Sequence, residues 1–175
     1  MGQDWRNPQH TKHEKTYAAD KLQGEMESVQ LQPIGVVSSP YKERFATPRQ
    51  PAYAVGNKPA SITLHTGFNY EQALQDLDTF SHIWVIYWMH LNQGWNPLVK
   101  PPRDKENKHG VFSTRAPHRP NSMGLSVVPL LGIQGRVLNI GNHDMLDGTP
   151  VLDIKPYIPE SDCMTQANAG WIDKL

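Results

Sequence analysis

The stretch His82-Ile-Trp-Val-Ile-Tyr-Trp-Met-His90 constrains the fold of this chain more than any other segment. It is dense in β-branched and aromatic residues, which favour a pleated strand. It is also apolar on both alternating faces, so it belongs in the middle of a sheet. Its uninterrupted apolar part, Ile83 to Met89, falls far short of the roughly 20 residues that cross a bilayer as a helix, so no membrane partner is expected. Shorter strands are predicted at Leu31–Ser38, Ile62–His65, Leu125–Leu131, Arg136–Ile140 and Val151–Ile154, with a further one at Gly110–Ser113. Gly132 and Gly135 are read as the turn between the strands they separate. A single helix is predicted to start at Asn69, as N-cap, with Gln72 at the capping-box position and a buried stripe of Leu74, Leu77 and Phe80. One helix among short strands, without repeating β-α units, predicts a compact mostly-β domain, a barrel with one or two short helices.

Composition narrows the classes further. The 175 residues suit one domain, and 38% hydrophobic and 19% charged residues with 13 glycines and 15 prolines imply long loops. Residues 1–30 carry mixed charge and few apolar anchors and are read as a flexible extension, with a short helix inside Ala18–Val29; the barrel domain is placed at 31–160 and a tail at 161–175. Seventeen basic residues against seventeen acidic ones exclude a uniformly basic nucleic-acid binder. The single cysteine, Cys163, excludes a disulfide framework and a multi-cysteine metal site. The N-terminus carries no apolar signal region, and a soluble, cytoplasmic protein is the expectation.

Common catalytic signatures are missing: there is no G-x-G-x-x-G after a strand, no Walker loop and no G-x-S-x-G elbow. The notable polar residues lie in three loops and at one strand end. In the first loop, residues 41–51, prolines stiffen the chain around Arg49 and Gln50, a clamp for an anionic or amide-bearing ligand or an ordinary exposed loop. The second, residues 100–121, holds Lys100, Arg103, Lys105, Lys108, Arg115 and Arg119 against Asp104 and Glu106, a local excess of four positive charges suited to phosphates or simply to solvent. The third, residues 141–150, offers His143, Asp144 and Asp147, as metal ligands of a hydrolase or as parts of the tight turn that Asp147-Gly-Thr-Pro favours. His90 ends the apolar strand, as a ligand contact or a structural histidine, while Trp84, Tyr87 and Trp88 read as core or interface.

Seven strings occur in one order: Ser39-Pro-Tyr-Lys-Glu-Arg-Phe, Thr47-Pro-Arg-Gln-Pro, Phe80-Ser-His-Ile-Trp-Val, Pro101-Pro-Arg, Gly110-Val-Phe-Ser-Thr-Arg, His118-Arg-Pro-Asn and Asp147-Gly-Thr-Pro-Val-Leu-Asp-Ile-Lys-Pro-Tyr. By these strings the chain resembles the TsaA-like family, whose characterised members are the TrmO tRNA methyltransferases, from about Ile34 to Pro159. The resemblance implies a small single-sheet β-barrel, usually a homodimer, that binds S-adenosylmethionine without a Rossmann fold and methylates N6 of threonylcarbamoyl-modified adenosine beside the tRNA anticodon. It implies cofactor contacts at Pro48, Arg49, Gln50, His90, Arg115, Asp147, Gly148 and Thr149, and substrate contacts at Arg119 and Asn121; Lys105 and Lys108 of the basic loop join the latter. It leaves the catalytic base unnamed and asks for no metal. Leu91 stands where a glutamine commonly follows the strand-end histidine, and the chain ends soon after the last string, where many bacterial relatives continue into a domain associated with RNA handling. A non-catalytic module that binds the cofactor or RNA is the alternative.

Overall fold

In a computed structural model, described for residues 28–43, 45–56 and 58–175, alternating apolar residues close one antiparallel sheet on itself. The six barrel strands are β1 (Gly35–Ser38), β2 (Ala60–Leu64), β3 (His82–Trp88), β6 (Met123–Gln134), β7 (Val137–Ile140) and β8 (Pro150–Pro156), joined in the order β1-β2-β7-β6-β3-β8 and back to β1. Two-residue strands β4 (Leu98–Val99) and β5 (His109–Gly110) pair separately. The mostly-β barrel expected from the strand pattern is the observed fold.

Period-two alternation fills the barrel. Val37, Ile62, Leu64, Ile83, Val85, Val128, Leu138, Ile140 and Val151 are all buried and pack as one core with Met145 and Leu74. β3 lies between β6 and β8, as its apolar character requires, and alternates buried with half-buried residues until the exposed Trp88. The long strand β6 pairs through its first half with β3 and through its second half with β7, so its two halves support different neighbours.

Several local expectations need correction. β1 starts at Gly35, not Leu31, beyond the proline that cannot donate to a ladder. The helix is a single turn, Tyr70–Ala73, and Asn69 does not cap it: Asn69 adopts a left-handed conformation (φ 52°) and its amide donates to the Gln72 side chain at 2.7 Å. A second left-handed residue, Asp76 (φ 65°), turns the chain into a 3-10 turn at Leu77–Thr79, so only Leu74 of the expected stripe is buried. Val111–Ser113 is a 3-10 turn rather than a strand. Gly132 lies within β6 beside a register shift, and the β6–β7 reversal is made at Gly135 (φ 57°) and Arg136. The expected arm over residues 1–30, with its helix inside 18–29, lies outside the described residues up to residue 27; residues 28–30 are exposed and irregular.

Candidate functional site

Strand alternation decides where the loops go. β1, β3 and β7 run toward one end of the barrel and β2, β6 and β8 run away from it. The connections at that end are therefore residues 39–59, 89–122 and 141–149, while the opposite end carries the 65–81 segment and the tight β6–β7 turn. Every nominated site residue, from Pro48 to Thr149, sits in one of the three loops at the first end. The topology thus collects on one rim what the sequence scatters over about a hundred residues.

The 141–149 loop is held from both sides. Ser39 N–H donates to the Asp147 carboxylate at 2.9 Å and Lys42 reaches it at 2.6 Å; the two together hold that carboxyl below its ordinary range. Gly148 takes positive φ (74°) and its N–H donates to Val37 O, while Thr149 is buried. The Asp147-Gly-Thr turn is therefore a staple between β1 and β8. His143 is fully buried; its Nδ1 accepts the Met145 N–H at 3.2 Å, and burial pushes its pKa down, leaving a neutral ring. Its Nε2 and the Asn142 Oδ1 are buried without a hydrogen-bond partner. His143, Asp144 and Asp147 turn to separate partners, and among the described residues no group of three potential ligands could hold a metal ion.

Asp144 lies at the mouth of the barrel interior. Ser126 on β6 donates to its Oδ1 at 2.7 Å and the Tyr87 hydroxyl on β3 reaches the same oxygen at 3.4 Å. Burial pushes the Asp144 carboxyl up, while the Ser126 and Tyr87 hydroxyls and the charge of Arg115 pull it back. Tyr87 is pushed up by burial first and by the Asp144 charge second, so it stays a donor. Its ring lies over Gly124, which leaves it room. Tyr87 and Ser126 were not legible as site residues: a serine and a tyrosine in apolar strands look like packing until register places both hydroxyls beside one carboxylate.

The 89–122 loop is built around internal hydrogen bonds. Asp104 accepts the Glu106 and Asn107 N–H groups, the Asn107 amide and His109 Nε2, each at 2.9–3.0 Å, and these donors, led by Asn107, depress its pKa strongly. Lys105 and Lys108 stay exposed on this turn. Arg119 Nη1 points at the carbonyls of Thr114 (2.9 Å), Ala116 (3.3 Å) and Val111 (3.4 Å), so it braces the turn that carries Arg115. Asn121 is exposed where β6 begins. The half-buried His90 follows β3 in a turn that Asn92 ties to the Pro117 carbonyl at 3.0 Å, and its ring meets Trp88 edge-on. In the 39–59 loop, Arg49 is exposed and Pro48 and Gln50 half-buried ahead of the 3-10 turn Pro51–Tyr53, which packs against β6. Arg103 donates to the Tyr53 hydroxyl and joins that loop to the basic one.

A family model described as the tRNA-methyltransferase O N-terminal domain matches residues 36–163. The tRNA (adenine(37)-N6)-methyltransferase of Escherichia coli (strain K12) is 42% identical over 155 residues, covering 83% of this chain and 65% of that enzyme. A probable S-adenosyl-L-methionine-binding protein of Pyrococcus abyssi is 44% identical over 142 residues, 81% of this chain and 75% of that protein. The crystal structure of TrmO from Pseudomonas aeruginosa superposes with a TM-score of 0.71 at 39% identity, over 84% of this chain and 64% of that one. The chain spans just under two thirds of the E. coli enzyme and of the P. aeruginosa chain. Model match, identity and barrel agree, and the chain belongs to the TrmO family of tRNA-methyltransferase O N-terminal domains.

Proposed function

We propose that this chain uses S-adenosylmethionine to methylate N6 of an adenosine in the tRNA anticodon loop, the acceptor being the threonylcarbamoyl-modified base. The observation that carries this reading is the convergence of the loops holding Arg49, Gln50, His90, Arg115 and Asp147 on one rim of the barrel. The donor set fits the cofactor: guanidinium groups suit a carboxylate, an amide and an imidazole suit a purine and ribose, and the 141–149 loop carries a buried acceptor and a buried donor with no partner. When bound, the cofactor supplies a methyl group activated by a sulfonium.

The chain's own residues then position and desolvate. Arg49 and Gln50 reach the cofactor from a proline-stiffened loop, and Pro48 limits their freedom. Gly148 and Thr149 shape the turn that brings the 141–149 loop over the rim, and Asp147 locks it to Lys42. Arg115 serves a carboxylate, with Arg119 bracing it from behind. Lys105 and Lys108 meet the RNA backbone, while Asn121 faces the acceptor nucleotide; unstacked anticodon-loop bases are what proteins read most readily in RNA. We place this activity in residues 31–160 of a cytoplasmic homodimer; the outward apolar faces of β3 and β6 support self-association.

Calorimetry with S-adenosylmethionine, followed by methyl transfer to tRNA with and without the threonylcarbamoyl group, tests the reading. Saturable binding and turnover of modified tRNA alone are expected. Arg49→Ala should weaken cofactor binding about tenfold or more, the loss of one charge-assisted contact. Turnover of neither tRNA would sink the enzyme reading, and cofactor binding without turnover would favour a non-catalytic module, the alternative that Leu91 motivates.

A further inference from the structure

We propose that Asp144, seated between the Ser126 and Tyr87 hydroxyls at the mouth of the barrel, is the proton acceptor of the methyl transfer. The inference rests on the methyltransferase reading above and supplies the base that reading lacks.

Methylating an N–H nitrogen requires the proton to leave. The N6–H bond breaks and its electron pair forms the new N–C bond. The methyl carbon–sulfur bond breaks with its pair retained by sulfur, which becomes a neutral thioether. The proton goes to the Asp144 carboxylate and from there to solvent. A carboxylate suits the task when burial raises its proton affinity while hydroxyl donors hold its oxygen in place, and both conditions surround Asp144. Burial disfavours its charge, whereas Ser126, Tyr87 and Arg115 favour it. The groups that hydrogen-bond it come from two strands, Tyr87 from β3 and Ser126 from β6, and the charge of Arg115 in the 89–122 loop favours its ionised form. Its neighbour His143 is turned away, accepting the Met145 N–H and packing its ring against Tyr41.

The remaining carboxylates of the rim loops are poorer candidates. Asp104 is saturated by four donors that build its own turn. Asp147 is paired with Lys42 and the Ser39 N–H. Glu43 and Glu106 are exposed, away from any desolvated mouth. Asp144 is the one whose polar partners sit on the inner faces of barrel strands.

The test compares wild type, Asp144→Asn, Asp144→Glu and Ser126→Ala on threonylcarbamoyl-modified tRNA. Asp144→Asn is expected to lower kcat by about 10²–10⁴-fold, the usual worth of a general base, while calorimetric cofactor affinity holds. It is also expected to melt no lower than wild type at pH 7.5, because it removes a buried charge; a purely structural carboxylate would show the reverse. Asp144→Glu should recover part of kcat. Ser126→Ala should shift the acid limb of the kcat–pH profile to higher pH, and the Asp144 carboxyl carbon-13 titration should move with it, since a donor favouring the charged form is gone. Asp144→Asn with kcat within about tenfold of wild type and an unchanged acid limb overturns the proposal. If that variant does not fold, an unmoved acid limb and unmoved titration in Ser126→Ala overturn it equally. Wild type inactive on modified tRNA instead defeats the methyltransferase reading and takes this inference with it.

Discussion

A Cβ at Gly124 would stand 2.2 Å from the ring carbons of Tyr87, so the residue type at position 124 decides where the Tyr87 hydroxyl can be. Gly124→Ala should therefore cost about 1–3 kcal/mol in urea unfolding, as overpacking of a filled core does. Unchanged stability would mean that Tyr87 has another place to go. Burial of His143 makes the stability of the fold depend on pH. Burial lowers its folded pKa beneath the ordinary 6.5, so below that pH the unfolded chain binds the extra proton and the folded one resists it. This contribution to stability is complete above pH 6.5 and is lost as pH falls beneath it. Asp144 acts in the opposite sense, because its raised carboxyl takes up a proton more readily folded than unfolded. Thermal melts of wild type and His143→Gln from pH 7.5 down to 5.5 separate the two, and the variant should lose less Tm over that interval. Parallel curves would contradict it. Single residues also mark the limit of sequence reading. Arg49 and Arg115 stand out because an arginine among prolines and small polar residues is conspicuous, whereas the Tyr87–Ser126–Asp144 contact depends on register across two strands.

The 89–122 loop is an element assembled from distant parts. Asp104 folds its first turn, Arg119 braces its second, and the last residues of the chain close it from outside. From β8 the chain forms a one-turn helix, Pro159–Asp162, whose Asp162 accepts the Trp84 indole N–H at 3.0 Å. It then reaches a 3-10 turn, Gly170–Lys174, where Trp171 stacks on His109 with ring centres 3.9 Å apart and donates to Ser113 O at 2.9 Å. One stack and one hydrogen bond are worth about 1–3 kcal/mol together. Trp171→Ala should accordingly speed amide hydrogen exchange over residues 104–113 by roughly 10- to 100-fold and leave β3 and β6 unchanged. Uniform exchange across both proteins would show that the tail does not hold the loop. Sequence patterns describe residues 100–121 as a charged, proline-rich loop, and the family resemblance implies a substrate contact at Arg119. They miss the bracing because it runs from a side chain to backbone carbonyls, and carbonyls have no sequence signature. The helix fails for a related reason: Asn69 and Gln72 satisfy the capping spacing, but their side chains bind each other.

The barrel was legible because strand-forming runs recur without helical partners; its closing order was not. β1 joins β8 and β2 joins β7 across long loops, and such pairings follow from burying every inner face at once rather than from any local pattern. The same closure leaves an outer face to explain. On β3 and β6 the pairs Trp84–Val127, Ile86–Leu125 and Trp88–Met123 form three apolar rungs directed away from the core. Leu125 is 56% exposed, Trp88 47% and Met123 42%, while the Lys155–Asp153 ion pair flanks them on β8. Contiguous apolar rungs on the outside of a sheet mark a surface that is covered in the working protein. A second copy of the chain is the occupant we propose, since one face supplies both halves of a two-fold contact. Wild type should therefore sediment as a dimer at micromolar concentration. Leu125→Lys should sediment as a monomer with unchanged circular dichroism, because it places a charge at the middle rung where the partner's apolar side chains would desolvate it. A variant that stays dimeric would move the interface off this face, and a monomeric wild type would remove it. The rim loops leave the barrel at the Trp88–Met123 end of these rungs and each chain carries all three of them, so the monomeric variant should keep its cofactor affinity.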